Sequence, residues 1–269
     1  AALTFSDELL MHGIAATSIA SILAFGPQDL ANTAWAFAAQ ACPHDPLLAA
    51  IATEAQARIS EFAAQGLANT AWAFATLSYL HEPLLDGIAS AAMHRMPHEL
   101  KPQELSNLAW SFATLEHNHQ ALFDAVAAAS IPMLAETAPR NQANTAWAFA
   151  VLLCEHRPLL DAISAATLRR IAELSPLSLA STAWACARLH MPDGPLLPVL
   201  STALLPSHRG GGTVDDGVLG MALWALSRRE ELSDAWALAE GSKGLSSLSL
   251  GALLRTCEER GTLEGQLRL

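Results

Sequence analysis

Apolar and polar positions along the chain follow a helical period, and one stretch shows the pattern clearly. On a helical wheel of residues 30–40, leucine, alanine, phenylalanine and tryptophan fill more than half of the circumference. Asn32, Thr33, Ala36 and Gln40 occupy the remaining sector. A helix that is apolar this far round is buried between neighbours and keeps one polar stripe. No stretch shows the sustained alternation typical of a β-strand. The pattern therefore predicts helices packed on helices.

The same helical word returns at a fixed interval. It reads LANTAWAFA, LANTAWAFA, LSNLAWSFA, QANTAWAFA and LASTAWACA, and its tryptophans are 37, 38, 37 and 37 residues apart (Trp35, Trp72, Trp110, Trp147 and Trp184). A constant period between 20 and 50 residues indicates a stacked repeat protein. Because each Trp stands among Ala and Phe at helical spacing, we expect the Trp side chains to belong to the core.

A second word follows each first one and begins with histidine. It reads HDPLLAAIA, HEPLLDGIA, HQALFDAVA and HRPLLDAIS, starting at His44, His81, His119 and His156. Prolines in three of these words stand where a first helical turn tolerates them, and Pro27, Pro102, Pro139 and Pro176 mark the joint before the next Trp helix. Each repeat is predicted to contain helix A, with the Trp, and helix B, after the histidine. The fold class predicted is an all-α solenoid of helical hairpins about 37 residues long.

The repeat words also predict the domain organisation. Residues 1–20 align with residues 75–94, so residues 1–27 are interpreted as helix B of a truncated repeat, and we expect the array to extend upstream of Ala1. Residues 28–205 are predicted to form five helical-hairpin repeats, and residues 206–217 a Gly-rich loop. Residues 218–269 are predicted to form degenerate repeats that act as a C-terminal cap.

The polar stripe of helix A supplies the candidate binding residues. One amide or hydroxyl stands three residues before each Trp, and threonines border the stripe (Asn32, Asn69, Asn107, Asn144 and Ser181; Thr33, Thr70, Thr145 and Thr182). An amide can hydrogen-bond a base edge or the backbone of an extended peptide. The alternative is structural, with each Asn bonded to the preceding helix or to the turn between repeats.

Charge bears on the choice of partner. The chain has 26 acidic and 15 basic residues and a net charge of −11, which argues against a general nucleic-acid surface. The candidate phosphate contacts are arginines that recur in helix B (Arg58, Arg95, Arg169 and Arg170). Their alternative role is on solvated outer helix faces. Arginines that line the Asn stripe would favour RNA, and arginines that point elsewhere would favour a protein partner.

Other chemistry is not indicated by the sequence. One His per repeat cannot bring four ligands to one metal ion, so the histidines are interpreted as turn or cap residues. The four cysteines form no CxxC pair, and Gly210–Gly212 lacks the Lys-Ser/Thr of a phosphate loop. No apolar run approaches the roughly 18 residues of a membrane span. We expect no enzyme activity, cofactor, metal or small-molecule substrate.

The LANTAWAFA word, the Trp period and the HxPLLDAI word resemble the octotricopeptide and heptatricopeptide repeats of algal, dinoflagellate and apicomplexan organelles. The resemblance covers roughly residues 1–200. It implies a right-handed solenoid and a non-catalytic protein that binds single-stranded RNA for processing, stability, translation or ribosome assembly. It also implies a nucleus-encoded protein imported into a chloroplast or mitochondrion. The alternative is a protein-binding scaffold or structural subunit of a large organellar complex, which clamps a peptide through Asn as armadillo repeats do.

Overall fold

The computed structural model describes residues 5–96 and 98–189. These residues contain ten α-helices and no strand: α1 Phe5–Ala20, α2 Pro27–Ala39, α3 Asp45–Ala57, α4 Ala64–Thr76, α5 Glu82–Arg95, α6 Pro102–Thr114, α7 Gln120–Ser130, α8 Pro139–Val151, α9 Arg157–Arg169 and α10 Pro176–Arg188. Short 3₁₀ helices follow four of the B helices (Ile22–Ala24, Ile59–Glu61, Ile131–Met133 and Ile171–Glu173). The prediction of an all-α protein is confirmed.

The first residues of most A helices explain locally why the helix begins there. A proline is the first residue of α2, α6, α8 and α10, where its missing N–H costs no helical hydrogen bond. Two starts are also capped by an acidic side chain of the first turn. The Gly26 N–H donates to Asp29 Oδ2 at 2.9 Å, and the Lys101 N–H donates to Glu104 Oε2 at 2.8 Å. Helix α4 has neither device and begins at Ala64 after Ala63.

Each helix B after the first described one is capped by the histidine of the second word. The Nδ1 atoms of His44, His81, His119 and His156 each accept a hydrogen bond of 3.2 Å from the backbone N–H three residues later. This bond satisfies one of the amide donors that a helix start leaves unpaired. The interpretation of these histidines as cap residues is confirmed.

Helix A ends in a Schellman motif that uses no glycine. The Tyr79 N–H donates to the Phe74 carbonyl at 2.9 Å, and the Ser78 N–H donates to the Ala75 carbonyl at 3.0 Å. The residue after the C-cap has a positive φ of 49° to 54° in four repeats, at Ala41, Ser78, Glu116 and Leu153. These side chains sit in the left-handed region that glycine occupies without strain.

Contacts divide the chain into two compact units, residues 1–136 and 137–269. In the first unit, α2, α4 and α6 pack side by side as a layer of A helices, and α1, α3, α5 and α7 pack in order as a layer of B helices. In the second unit, α8 packs on α10 and on α9. Each unit thus stacks helical hairpins in the manner of an α-solenoid. The right-handed course stays a prediction.

Phenylalanine, and not tryptophan, forms the centre of the A-helix core. The Phe two residues after each Trp is at most 2% exposed in four repeats (Phe37, Phe74, Phe112 and Phe149). The Trp side chains are only half-buried, and Trp35 is 49% exposed. The prediction that Trp belongs to the core is therefore wrong, because the Trp position lies at the edge of the apolar arc.

Three sequence predictions concern residues outside the described part of the chain. They are the Gly-rich loop at 206–217, the degenerate repeats at 218–269 and the second half of the fifth repeat, from residue 190 to 205. Helix α2 begins at Pro27, one residue before the predicted start of the five repeats at residue 28.

Candidate ligand-binding face

The Asn residues of the predicted stripe lie on the outer side of the A helices. In the first unit they stand at the same place on three adjacent helices: Asn32 on α2, Asn69 on α4 and Asn107 on α6. Asn32 is exposed and the other two are half-buried. In the second unit, Asn144 on α8 is also half-buried. We call this surface of the A helices the Asn face.

The amide groups of the Asn face have no protein partner among the described residues. The side chains of Asn32, Asn69, Asn107 and Asn144 form no hydrogen bond there, either to the preceding helix or to a turn between repeats. A purely structural role for these Asn residues, the alternative to ligand binding, required such bonds. The amides therefore keep their donor and acceptor capacity for a ligand or for water.

The Trp residues border the Asn face. A step of three residues rotates the helix direction by about 300°, so each Trp side chain stands only about 60° from the Asn that precedes it. The opposite direction is taken by the buried residues Leu30, Ala34 and Phe37. Four of the described repeats thus present an amide and part of an indole ring on one surface. Sequence reasoning assigned the rings to the core, although the wheel angle from Asn to Trp already pointed to this surface.

A cleft of about 410 Å³ lies where the Asn faces of α2 and α4 meet. Gln28 and Asn32 line it from α2, and Gln65 and Asn69 line it from α4. The cleft thus joins the amides of two successive repeats. No Lys, Arg or His is among the lining residues, all of which lie in the described part of the chain.

Three further residues line this cleft, and none of them was predicted from the sequence. Glu61 and Phe62 line it from the turn before α4, and Gly66 lines it from α4. The position of Gly66 is occupied by larger polar residues in the other repeats: Asp29, Glu104, Asn141 and Ser178. A Cβ on Gly66 would lie 3.3 Å from the Phe62 ring and 3.9 Å from the Ala31 Cβ. Glycine at this one position, where the other repeats have a polar residue, is the feature of the sequence that could have indicated the cleft.

Three of the four predicted threonines and the predicted serine are buried. Thr70, Thr145 and Thr182 are at most 4% exposed, and their hydroxyls donate to the carbonyl four residues earlier at 2.8 to 2.9 Å. Ser181 is 9% exposed, and Thr33 is half-buried. The polar stripe of helix A is narrower than predicted, because the side chain of the residue after Asn points toward the core.

Two of the candidate phosphate contacts are instead links between successive repeats. Arg58 Nη1 donates to the Phe25 carbonyl at 2.7 Å, and Arg170 Nη1 donates to the Thr137 carbonyl at 2.8 Å, 33 residues earlier in both cases. Each guanidinium also pairs with a carboxylate three residues on, Glu61 or Glu173, at 2.7 Å. These hydrogen bonds raise the pKa of both arginines and lower the pKa of both glutamates.

The other arginines are also not in the cleft. Arg95 donates to the carbonyls of Ala91 and Ser60 at 3.0 and 2.9 Å, and Arg169 is exposed at the end of α9. Arg188 donates to the Ala150 carbonyl at 2.9 Å, with its guanidinium carbon 5.2 Å from the Trp184 ring centre. Internal acceptors thus engage Arg58, Arg95 and Arg170, and their role as phosphate contacts stays a prediction.

The described residues include no cluster of three or more His, Cys, Asp or Glu side chains able to hold a metal ion. Among the same residues, no helix has the length and apolar character needed to cross a membrane.

Comparison with known proteins identifies the family. The model of the RNA-editing substrate-binding complex 6 protein family matches residues 1–232 of the 269-residue chain. No curated protein matches the chain. The match extends over every described repeat. The repeats, the helical stack and this match together place the chain in the RNA-editing substrate-binding complex 6 protein family.

Proposed function

We propose that this chain is a non-catalytic RNA-binding subunit of an RNA-editing complex, and that its Asn face contacts single-stranded RNA. The family name describes a component of a complex that binds RNA-editing substrates. The observation that carries the proposal is the Asn face itself, where an amide without a partner among the described residues and a partly exposed indole recur in successive repeats. Amides hydrogen-bond base edges, and indole rings stack on bases.

The positions of the arginines determine which interactions supply the affinity for RNA. Because Arg58, Arg95 and Arg170 bond internal acceptors and no cation lines the cleft, few phosphates are neutralised. Affinity then comes from base edges and stacking, and its dependence on salt is weak. A protein that neutralises Z phosphates of a single strand has a log–log salt slope of about −0.7Z. We expect a slope between about 0 and −2 for this chain.

We place the protein in an organelle, chloroplast or mitochondrion, to which it is imported after synthesis from a nuclear gene. This part of the proposal follows from the resemblance of the repeat words to organellar repeat proteins. The roles that the resemblance supports are RNA processing, stability, translation or ribosome assembly, and neither cofactor nor substrate turnover is involved. Immunolocalisation of the tagged chain tests the assignment, and a nuclear or cytosolic signal alone would contradict it.

A direct binding experiment tests the RNA function. Fluorescence anisotropy of labelled single-stranded RNA at low salt should show binding by the full chain, and the double variant Asn69→Ala, Asn107→Ala should weaken it roughly tenfold or more. Asn118→Ala is the matched control, because Asn118 is an exposed Asn in the loop between α6 and α7, away from the Asn face. Equal affinities of wild type and double variant would refute the assignment of the Asn face.

A protein-binding scaffold is the second candidate, and the arginines favour it. Bonded arginines and a net charge of −11 suit a neutral or basic peptide better than a polyanion. The same amides would then bond the backbone of an extended segment of another subunit. Absence of RNA binding even at low salt, together with Asn69-dependent binding of a basic peptide, would establish the scaffold in place of the RNA function.

A further inference from the structure

The cleft between α2 and α4 differs chemically from the rest of the Asn face. It combines the amides of Asn32 and Asn69 with one carboxylate, Glu61, and it has no cationic lining residue. A phosphate in this cleft would meet the carboxylate and would find no cation among the lining residues, which is unfavourable. A ligand group that donates hydrogen bonds is favoured instead, because an ionised carboxylate only accepts them.

The Glu61 carboxylate is oriented by Arg58. Its Oε2 atom accepts from Arg58 Nη2 at 2.7 Å and from Nε at 3.2 Å, whereas Oε1 has only the longer contact to Nε at 3.3 Å. The guanidinium is anchored in turn on the Phe25 carbonyl. Since a carboxylate offers about four lone-pair sites, Oε1 retains capacity for another donor. The Arg58 pair also lowers the pKa of Glu61, which keeps the carboxylate ionised.

The space of the cleft depends on Gly66. At the same helix position the other repeats carry Asp29, Glu104, Asn141 and Ser178, and two of these bond their own helix start. Gly66 places no side chain in that space, beside Phe62 and Ala31. The partly exposed ring of Trp35 stands one turn after Asn32, on the same side of α2. A flat ring system with polar edges, such as a nucleobase, fits a cleft that has this open space and an aromatic ring beside it.

We propose that the α2–α4 cleft receives one nucleobase that bears an exocyclic amino group, and that the Glu61 carboxylate accepts a hydrogen bond from that group. This inference rests on the proposed RNA function and names its selectivity. Cytosine, adenine and guanine carry an amino donor, and uracil presents carbonyl acceptors in its place. A uracil carbonyl at Glu61 would face a carboxylate with no proton between them, so uracil is disfavoured.

The experiment compares two labelled RNAs on the full chain: an oligouridylate, and the same oligomer with one central cytidine. We expect the cytidine to raise affinity roughly tenfold, as one base-specific pair typically does. Glu61→Gln should abolish this preference, because the glutamine amide can also donate to a uracil carbonyl and so no longer discriminates against uracil. Gly66→Asn, which introduces the residue found at the equivalent place in α8, should abolish it by filling the cleft.

A matched control separates recognition from stability. Glu173→Gln breaks an ion pair with the same geometry, Arg170–Glu173, in the other unit, and it should leave the cytidine preference intact. Circular dichroism of each variant verifies the helical fold. Equal wild-type affinity for both RNAs overturns this inference and leaves the RNA function standing. A preference that survives in folded Glu61→Gln overturns the assignment to Glu61. Absence of binding to either RNA overturns both proposals.

Discussion

Arg58 and Phe25 join two successive repeats through a hydrogen bond of 2.7 Å, from the guanidinium Nη1 to a backbone carbonyl 33 residues earlier. Arg170 and Thr137 form the same link in the second unit. A stacked repeat has no stability alone, and it depends on its interface with the neighbour. The arginine at the end of helix B therefore belongs to that interface.

We predict that Arg58→Met lowers the thermal midpoint of the protein. The substitution keeps most of the aliphatic stem and removes the donor to Phe25, which leaves its carbonyl short of a partner. Arg169→Met is the control, because the exposed Arg169 has no such bond within the described residues. Thermal unfolding followed by circular dichroism measures both variants. Equal midpoints for the two would contradict a role of Arg58 at the interface.

The Arg170–Glu173 pair predicts a dependence of stability on pH. The pKa of Glu173 is lowered below its ordinary value of 4.5 by the hydrogen bond from Arg170. A group whose pKa is lower in the folded state stabilises the protein above the unfolded pKa, and loses this contribution as pH falls through the folded pKa. Glu173→Gln should therefore lower the midpoint at neutral pH and match wild type in acid. A difference that is constant across pH would count against the ion pair.

The histidine N-caps predict that stability falls when the cap acceptor is removed and is kept when another acceptor replaces it. His81→Ala removes the acceptor of the Leu84 N–H and should destabilise the protein by about 1 kcal/mol, the usual cost of a lost N-cap. His81→Asn supplies another acceptor that is favourable at an N-cap and should restore most of that stability. Chemical denaturation measures the difference. If Asn and Ala are equally destabilising, the cap bond does not explain the histidine.

The positive φ of 54° at Ser78 predicts a stabilising glycine. Ser78→Gly removes the clash of a Cβ in the left-handed region, which costs roughly 1 kcal/mol, and should raise stability by about half of that or more. Ser90 is exposed inside α5, so Ser90→Gly makes the same change in a regular helix. It should lower stability by about 0.5 kcal/mol. The opposite signs are the test, and two changes of the same sign would contradict this explanation.

Substitutions of Phe37 and Trp35, both on α2, distinguish a role in packing from a role in RNA binding. Phe37 is 2% exposed, and Phe37→Ala should cost roughly 3–5 kcal/mol. Trp35 is 49% exposed, so Trp35→Ala should cost less than half as much in stability while weakening RNA binding. Denaturation and anisotropy on the same preparations measure both effects. RNA affinity that is unchanged in Trp35→Ala would remove the indole from the proposed face.

Local sequence determined the helices of this protein, the capping histidines and the spacing of the repeats. Proline at a first turn, histidine before a helix B and an apolar arc on helix A act within a few residues, and the words repeat them. The family also follows from sequence, since the match covers residues 1–232.

The tertiary structure decided which side chains remain available for a ligand. Periodicity placed Trp35, Thr70 and Arg58 on faces of helices, but only packing shows whether a neighbour covers a face. Packing left Trp35 half-exposed, turned Thr70 inward and joined Arg58 to Phe25 in the preceding repeat. The cleft at Asn32 and Asn69 likewise exists only where α2 meets α4, because its walls come from residues 37 positions apart.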